Sequence, residues 1–214
     1  LGVFGQLLVA GSMLPALVPI QRKWVRVGMF GMGMVGVLLS GNRTSVVMVA
    51  LQARFLLRKI GHERWVNAEA FYQSLFTTVL EPDEILVEID IPPMARRMGY
   101  AFMEIARRHG DYAQAGVAAI IRLDESGICR QARLVYLNLG DIPTVADQAA
   151  SALVGHLPST DLIQSVARHA AQHEIDPVGD IHATAEYRRH LAFILGQRAI
   201  AKAVARARDG WSLE

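Results

Sequence analysis

The sequence predicts an α+β protein, in which a group of strands is followed by a group of helices. Between residues 85 and 139, short segments show the alternation or the β-branched composition of strands, and turn signals such as Asp124-Glu125-Ser126-Gly127 separate them. After residue 140, three segments are predicted to be helical. A chain of 214 residues, 52% of them hydrophobic, can bury a core of this kind. Strands that precede helices, instead of alternating with them, favour α+β.

The first forty residues carry unusually few charges. Residues 1–20 and 27–42 have none, and Arg22, Lys23 and Arg26 lie between these stretches. One interpretation is a membrane hairpin with a basic turn, and the other is glycine-rich loops and short buried strands of a soluble domain. Glycines and prolines interrupt the first stretch, and the second is shorter than the roughly 18 residues that cross a bilayer, so the soluble interpretation is favoured. No signal peptide or membrane association is predicted, and a cytoplasmic location is expected.

A glycine pattern follows a plausible strand at residues 24–27. Gly31 to Gly36 match G-x-G-x-x-G, whose backbone a phosphate can approach closely. The next acidic residue is Glu63, and no amphipathic helix clearly follows Gly36. The pattern alone therefore favours tight turns in an apolar core over a Rossmann site.

The middle of the chain contains clearer elements. Residues 46–57 are apolar, with polar side chains spaced for one exposed face, and turns are predicted at residues 61–63 and 81–84. Residues 85–91 alternate as a strand that Pro92-Pro93 ends. Leu86 is the one apolar residue on the strand face that otherwise carries Glu88 and Asp90. It either covers a neighbouring element or contacts a ligand.

Residues 98–210 are predicted to form a second unit. Strands are expected at 99–107, 116–123 and 130–139, the last two as an antiparallel hairpin, with helices at 145–154, 162–173 and 185–208. One face of the hairpin is expected to carry Val117, Ala119, Ile121 and Leu123. Thr184 is the candidate N-cap of the last helix, whose basic residues near the end suit the helix dipole.

Composition excludes several functions. The net charge is +2 and the basic residues are scattered, so no nucleic-acid surface is predicted. Cys129 is the only cysteine, so the chain alone cannot form a disulfide or a four-cysteine metal site. His169 and His173 lie four apart beside Glu174, but a solvated helix face is favoured over a zinc site. No catalytic residue and no metal ligand is predicted, and any redox metal is expected on another subunit.

Three segments carry a resemblance to a known family. They are FMEIARRHGDYAQAGVAAIIRLDESG (102–127), DIHATAEYRRHLAFILGQRAI (180–200) and FYQSLFTTVLEPDEILVEIDIP (71–92). Together they resemble the FAD-binding medium subunit of the xanthine dehydrogenase and carbon monoxide dehydrogenase family of molybdenum hydroxylases, from about Arg43 to Ala207. The resemblance implies an oxidoreductase subunit, inactive alone, that passes electrons between FAD and an iron-sulfur subunit. Its expected partners are a small 2Fe-2S subunit and a large molybdopterin-binding subunit.

The resemblance also implies a domain division. Residues 8–18 are similar to the family's first nucleotide-binding loop with residues missing, and several elements that follow it in the family are absent. We therefore expect an abbreviated FAD-binding lobe over residues 1–97 and a domain similar to the CO dehydrogenase flavoprotein C-terminal domain over residues 98–210. A family derivative that has lost tight FAD binding, and serves as a structural or assembly subunit, is the alternative.

The family's Arg-Arg-x-Gly-Asp-Tyr segment lies beside the flavin, which implies that Tyr112 stacks on the isoalloxazine ring. An aromatic face limits solvent access, and nearby charge tunes the reduction potential of a flavin. Arg107, Arg108 and Asp111 either shape this field or pair with one another. Asp111 is included with Tyr112 among the expected cofactor-binding residues.

The remaining expected cofactor-binding residues are Gly33, Gly36, Ser45, Leu86 and Glu104. Gly33 and Gly36 stand where the family has its Gly-Thr-x-Gly-Gly pyrophosphate loop, here without the threonine. Leu86 matches a position that contacts FAD, and near Ser45 an acid usual in the family is replaced by a valine. Glu104 stands where many members carry a lysine.

Overall fold

The computed structural model describes residues 25–28, 42–74, 77–108 and 111–209. The first part contains β1 (Val25–Gly28), α1 (Asn42–Ala50), β2 (Arg54–Lys59), β3 (His62–Asn67), α2 (Ala68–Phe71), β4 (Tyr72–Ser74), β5 (Thr77–Thr78) and β6 (Ile85–Ile91). The second contains β7 (Met98–Ala106), β8 (Ala113–Leu123), β9 (Cys129–Leu137), β10 (Thr144–Val145), α3 (Asp147–Leu153), α4 (Thr160–His169) and α5 (Ala185–Asp209). Antiparallel sheets combined with helices confirm the predicted α+β class.

The first sheet has the strand order β1-β6-β2-β3, and all its neighbours are antiparallel. The apolar stretch 46–57 is divided between two elements, because α1 ends at Ala50 and the chain turns at Gln52, whose φ is 54°, before β2 begins. Strands β2 and β3 form a hairpin that turns at Gly61, with φ 75°. Glycine adopts this left-handed conformation without a Cβ clash. The turn predicted at 61–63 is therefore shorter, since His62 and Glu63 already belong to β3.

Three aromatic rings fill the core beneath this sheet. Phe55 and Phe71 meet edge to face with centroids 4.7 Å apart, and Phe71 meets Tyr72 in the same way at 5.2 Å. Edge-to-face contacts of this kind stabilise a core by more than their buried area alone. Burial raises the pKa of the Tyr72 phenol.

Strand β6 has the limits that the sequence predicts, but its burial does not follow the expected alternation. Ile85 is 62% exposed at the start of the strand, whereas Asp90 is buried near its end. The carboxylate of Asp90 is stabilised there because Arg54 Nε donates to Oδ2 at 3.1 Å. A charge can be buried when it is paired in this way.

The second sheet has the order β10-β9-β8-β7 and is antiparallel throughout. Its central hairpin of β8 and β9 confirms the prediction, although β8 begins at Ala113, three residues before the expected start. The four side chains predicted to share a face are all buried in the core beneath the helices: Val117, Ala119, Ile121 and Leu123. Helix α5 packs across β7 and β8 on this face.

The three helices begin and end close to their predicted limits, except that α4 stops at His169 and continues as a π-helical turn, Ala170–Glu174. The Thr184 hydroxyl accepts from the Tyr187 amide at 3.1 Å and caps α5 as expected. Glu174 is also a capping residue, since its carboxylate accepts from the Gln148 and Ala149 amides at 2.8 Å each. Within the described ranges, none of the helices combines the length and the apolar character that crossing a bilayer requires.

The opposite face of the second sheet is covered by the first part of the chain. Ala118, Ile120, Val135 and Leu137 project from this face into the core that contains α1 and β2. Arg133 extends from β9 to the same interface, where its Nε donates to the Val49 carbonyl at 3.0 Å and its Nη2 contacts Glu69 at 2.5 Å. The second sheet is therefore covered on both faces at β8 and β9, whereas β7 leaves Tyr100 and Phe102 partly exposed.

Strand β7 is the last strand of the second sheet among the described residues. Arg206, near the end of α5, lies beside it and donates from Nη1 to the Tyr100 carbonyl at 2.7 Å. The same guanidinium lies over the Tyr100 ring, 4.9 Å from its centroid. Tyr100 and Phe102 are each a little over one-third exposed.

Candidate functional site

The segment that connects β7 to β8 carries most of the residues that the sequence singles out. The ladder between these strands ends with Ala106 opposite Ala113, after an irregularity at Ile105. Arg107, Arg108, Asp111 and Tyr112 therefore lie beyond the end of the ladder. Tyr112 lies at the end of this segment, and its residue surface is 82% exposed.

Arg43, in the first turn of α1, connects three parts of the chain at this end of the sheet. Its Nε and Nη2 each lie 2.7 Å from a different carboxylate oxygen of Glu104 on β7. Its Nη2 also donates to the Asp111 carbonyl at 3.0 Å. Bidentate pairs between guanidinium and carboxylate fix geometry better than a single contact does. We call these three residues, Arg43, Glu104 and Asp111, the Arg43 clamp. Sequence reasoning did not find Arg43, because nothing in its local pattern shows a partner 61 positions away.

Arg107 connects the same segment to the loop before α5. Its Nη1 lies 3.0 Å from His182 Nδ1, and its Nη2 lies 3.8 Å from Asp111 Oδ2. Because a guanidinium can only donate, Nδ1 of His182 is the acceptor, and a neutral His182 carries its proton on Nε2. Gln114 Nε2 also donates to the His182 carbonyl, at 3.2 Å.

The loop that carries His182 is itself held by Asp180. One oxygen of Asp180 accepts from the amides of His182 and Ala183 at 2.8 and 2.9 Å, and the other pairs with the buried side chain of Arg188. These hydrogen bonds favour the ionised carboxylate and hold the pKa of Asp180 at about 2. His182 is therefore presented to Arg107 from an ordered turn.

The expected site residues fall into three groups. Glu104, Asp111 and Tyr112 lie together at the end of β7 and β8, and Ser45 is buried on α1 two residues beyond Arg43. Leu86 lies apart from them on β6, opposite Leu57, where it is half-buried against the apolar core of the first sheet. Gly33 and Gly36 lie outside the described residues, as does the pyrophosphate loop expected there.

The described residues at the end of β7 suit one part of the flavin that the resemblance implies. A flat ring system can stack on Tyr112, which is exposed to solvent, and Arg107 and Arg108 are exposed basic residues a few positions before it in the sequence. Glu104 does not offer a free anion here, because both of its oxygens are paired with Arg43. No group of three His, Cys, Asp or Glu side chains in the described ranges is placed to hold a metal ion.

Two family descriptions match the chain in succession. Residues 40–94 match the FAD binding domain in molybdopterin dehydrogenase, and residues 100–203 match the CO dehydrogenase flavoprotein C-terminal domain. The two matched ranges meet near residue 97, between β6 and β7.

Curated proteins with similar sequences are subunits of dehydrogenases. The chain is 36% identical to 6-hydroxypseudooxynicotine dehydrogenase complex subunit alpha of Paenarthrobacter nicotinovorans, over 76% of this chain and 55% of that protein. It is 34% identical to the carbon monoxide dehydrogenase medium chain of Afipia carboxidovorans, over 79% of this chain and 58% of that protein. The chain thus spans a little over half the length of these two relatives.

Solved structures agree with the sequence matches. The fold superposes on a chain of the Cu,Mo-CO dehydrogenase in its cyanide-inactivated form with a TM-score of 0.74 and 30% sequence identity, over 80% of this chain and 60% of that one.

Proposed function

We propose that this chain, which belongs to the family of medium chains of carbon monoxide dehydrogenase and related molybdenum hydroxylases, binds FAD and passes electrons between FAD and an iron-sulfur partner. The observation that carries the proposal is the position of Tyr112. Tyr112 is 82% exposed and directly follows Asp111, whose carbonyl accepts from Arg43, while Arg107 contacts His182 in the loop before α5. A large aromatic side chain so exposed, on a braced backbone, suits a binding surface.

FAD, when bound, supplies the ability to accept an electron pair and to release it one electron at a time. The protein residues serve to bind the ring system and to control its surroundings. The ring of Tyr112 would cover one face and exclude water from it. Arg107 and Arg108 would favour added negative charge, and Asp111, 3.8 Å from Arg107, would moderate that effect.

The cysteine content of the chain indicates that an iron-sulfur cluster would be held by another subunit. Its only cysteine, Cys129, is buried in β9, and burial raises the pKa of its thiol, so it is unsuited to be a cluster ligand. We infer that a small 2Fe-2S subunit holds the cluster and that a large molybdopterin-binding subunit oxidises the substrate. An isolated medium chain is accordingly expected to oxidise no substrate.

Direct titration with FAD tests the proposal. Purified protein, freed of bound nucleotide, is titrated with FAD while the flavin absorbance and fluorescence are followed. We expect saturable binding and a perturbed flavin spectrum, both weakened in Tyr112→Ala. Tyr187→Ala is the matched control, because Tyr187 is also an exposed tyrosine, at 46%, in a different element, α5. A protein that leaves the flavin spectrum unchanged at saturating FAD would contradict the proposal and favour a structural or assembly role.

A further inference from the structure

The Arg43 clamp connects the first part of the chain to the segment that carries Tyr112. Arg43 Nη2 lies 2.7 Å from Glu104 Oε1 and donates to the Asp111 carbonyl at 3.0 Å. Asp111 directly precedes Tyr112 in the sequence. The position of the tyrosine backbone is thus tied to α1 through one side chain.

The other contacts of Arg107, Arg108 and Asp111 described here lie within the second part of the chain. The Asp111 amide donates to the Arg108 carbonyl at 3.1 Å, within the segment itself. Arg107 contacts His182 at 3.0 Å, in the loop before α5. Arg43 contacts Asp111 from the first part of the chain, whereas Arg107 contacts His182 in the second part. A ligand that touches both parts at this end of the sheet would therefore meet a backbone position, Asp111, that Arg43 fixes relative to α1.

The clamp contributes little to overall stability. The side chains of Arg43 and Glu104 are 46% and 24% exposed, and an ion pair exposed to this degree is a small part of the stability of a whole domain. The contact between Arg43 and the Asp111 carbonyl is local as well, since it holds a single peptide group before β8. The effect of the clamp should therefore be seen in the order of Asp111 and Tyr112 and not in the melting temperature.

We propose that Arg43 is the positioning residue for Tyr112, and that Glu104 orients Arg43 for this role. The proposal rests on the proposed function, because the ring positioned is the one expected to stack on the flavin. The proposal also explains the role of Glu104. Its carboxylate accepts from two guanidinium nitrogens of Arg43, which leaves one N–H of Nη2 directed at the Asp111 carbonyl.

Hydrogen exchange of the whole chain tests the positioning without any cofactor. The Asp111 amide is the reporter, because its bond to Arg108 lies inside the segment. Loss of the clamp contacts in Arg43→Ala should speed its exchange roughly five- to tenfold, as expected for losing about 1 kcal/mol of local hydrogen bonding. Arg43→Lys retains the charge but not the bidentate geometry, so its Asp111 exchange rate should lie between those of the unaltered chain and Arg43→Ala. Arg58→Ala is the control, because it removes another exposed pair, Arg58–Glu63 on the β2–β3 hairpin, and should leave the reporter unchanged.

FAD titration of the same variants tests the link to the flavin. Arg43→Ala should weaken FAD binding about threefold to tenfold and shift the spectrum per bound flavin, with partial recovery in Arg43→Lys and no change in Arg58→Ala. Unchanged exchange at Asp111 in Arg43→Ala would overturn the positioning role. Faster exchange with an unaltered flavin spectrum would overturn the link to Tyr112. If the unaltered chain binds no FAD, the proposed function fails, while the exchange experiment still decides whether Arg43 holds the segment.

Discussion

Gly99 on β7 is a position where one added methyl group should destabilise the fold strongly. A Cβ built on Gly99 would lie 2.0 Å from the Ala203 carbonyl oxygen and 2.5 Å from the Ala207 nitrogen, both in the backbone of α5. Neither atom can rotate away as a side chain would. In Gly99→Ala, the helix and the strand must therefore separate.

The size of the effect follows from these distances. Non-bonded heavy atoms pack at about 3.5 Å or more, so α5 must move from β7 by more than about 1 Å. Helix α5 buries ten residues against the second sheet and its neighbours, and such a shift loosens many of their contacts. Overpacking typically lowers the free energy of unfolding by about 1–3 kcal/mol. We expect Gly99→Ala to reach or exceed the upper end of this range, because backbone atoms cannot rotate out of the contact. For a chain of this length, about 3 kcal/mol lowers the melting temperature by roughly 6–12 °C.

Thermal and urea unfolding, followed by circular dichroism, measure this loss. Gly155→Ala is the control: Gly155 has a φ of 84° and nothing within 4 Å of a built Cβ, so it pays only the backbone cost of about 1–2 kcal/mol. A Gly99→Ala protein as stable as Gly155→Ala would refute the close packing of β7 on α5.

Three further predictions concern the flavin, acid stability and the domain division. Tyr112→Ala should weaken FAD binding about fivefold, and Tyr112→Phe should keep most of the affinity, because stacking needs the ring and not the hydroxyl. Equal FAD affinities of the Ala and Phe variants in a titration would count against stacking. Arg64 and a backbone amide hold the pKa of Glu84 at about 2, below its ordinary 4.5. The stabilisation by the ionised Glu84 is therefore complete above about pH 4.5 and is lost as the pH falls toward 2. Glu84→Gln should flatten the acid limb of a stability–pH curve, and an unchanged limb would contradict this prediction. A fragment of residues 98–209 should fold less cooperatively than the whole chain and bind a hydrophobic dye, because it leaves the α1-facing side of the second sheet uncovered; a sharp melt without dye binding would support an autonomous domain.

Local signals were enough to predict much of the fold. Strand β6 lies between a Pro-Asp turn and a Pro-Pro pair, and both of its ends were predicted correctly. The hairpin of β8 and β9 follows from its turn at Asp124, whose Oδ1 accepts from the Ser126 and Ile128 amides at 2.9 Å each. Signals of this kind act within a few residues, so sequence alone reveals them.

Burial and long-range pairing were not predictable in the same way. The exposure of Ile85 and the burial of Asp90 depend on which strands flank β6, and Arg54, which pairs with Asp90, lies on one of these neighbours. Residues 46–57 form a helix followed by a strand, and not one element, because the chain turns at Gln52 with an unusual positive φ.

The candidate site shows the same division. The segment around Tyr112 was found because its composition is distinctive, and a resemblance gave it a meaning. The partner that ties Glu104 to α1 could not be found, since an arginine near the start of a helix has many possible contacts. The roles of all the expected cofactor-binding residues, Gly33, Gly36, Ser45, Leu86, Glu104, Asp111 and Tyr112, stay predictions.

The position of Arg206 has a consequence for how the protein behaves at high concentration. A strand at the border of a sheet offers unpaired amides and carbonyls to any other extended chain, which is a route to aggregation. The guanidinium of Arg206 occupies the Tyr100 carbonyl and places a charge over the ring that an incoming strand would have to contact. A crowding neighbour would need to displace this side chain and bury its charge before it could extend the sheet. Within the part of the chain that the structure describes, the last turns of α5 thereby protect the outer strand of the second sheet in addition to packing the core.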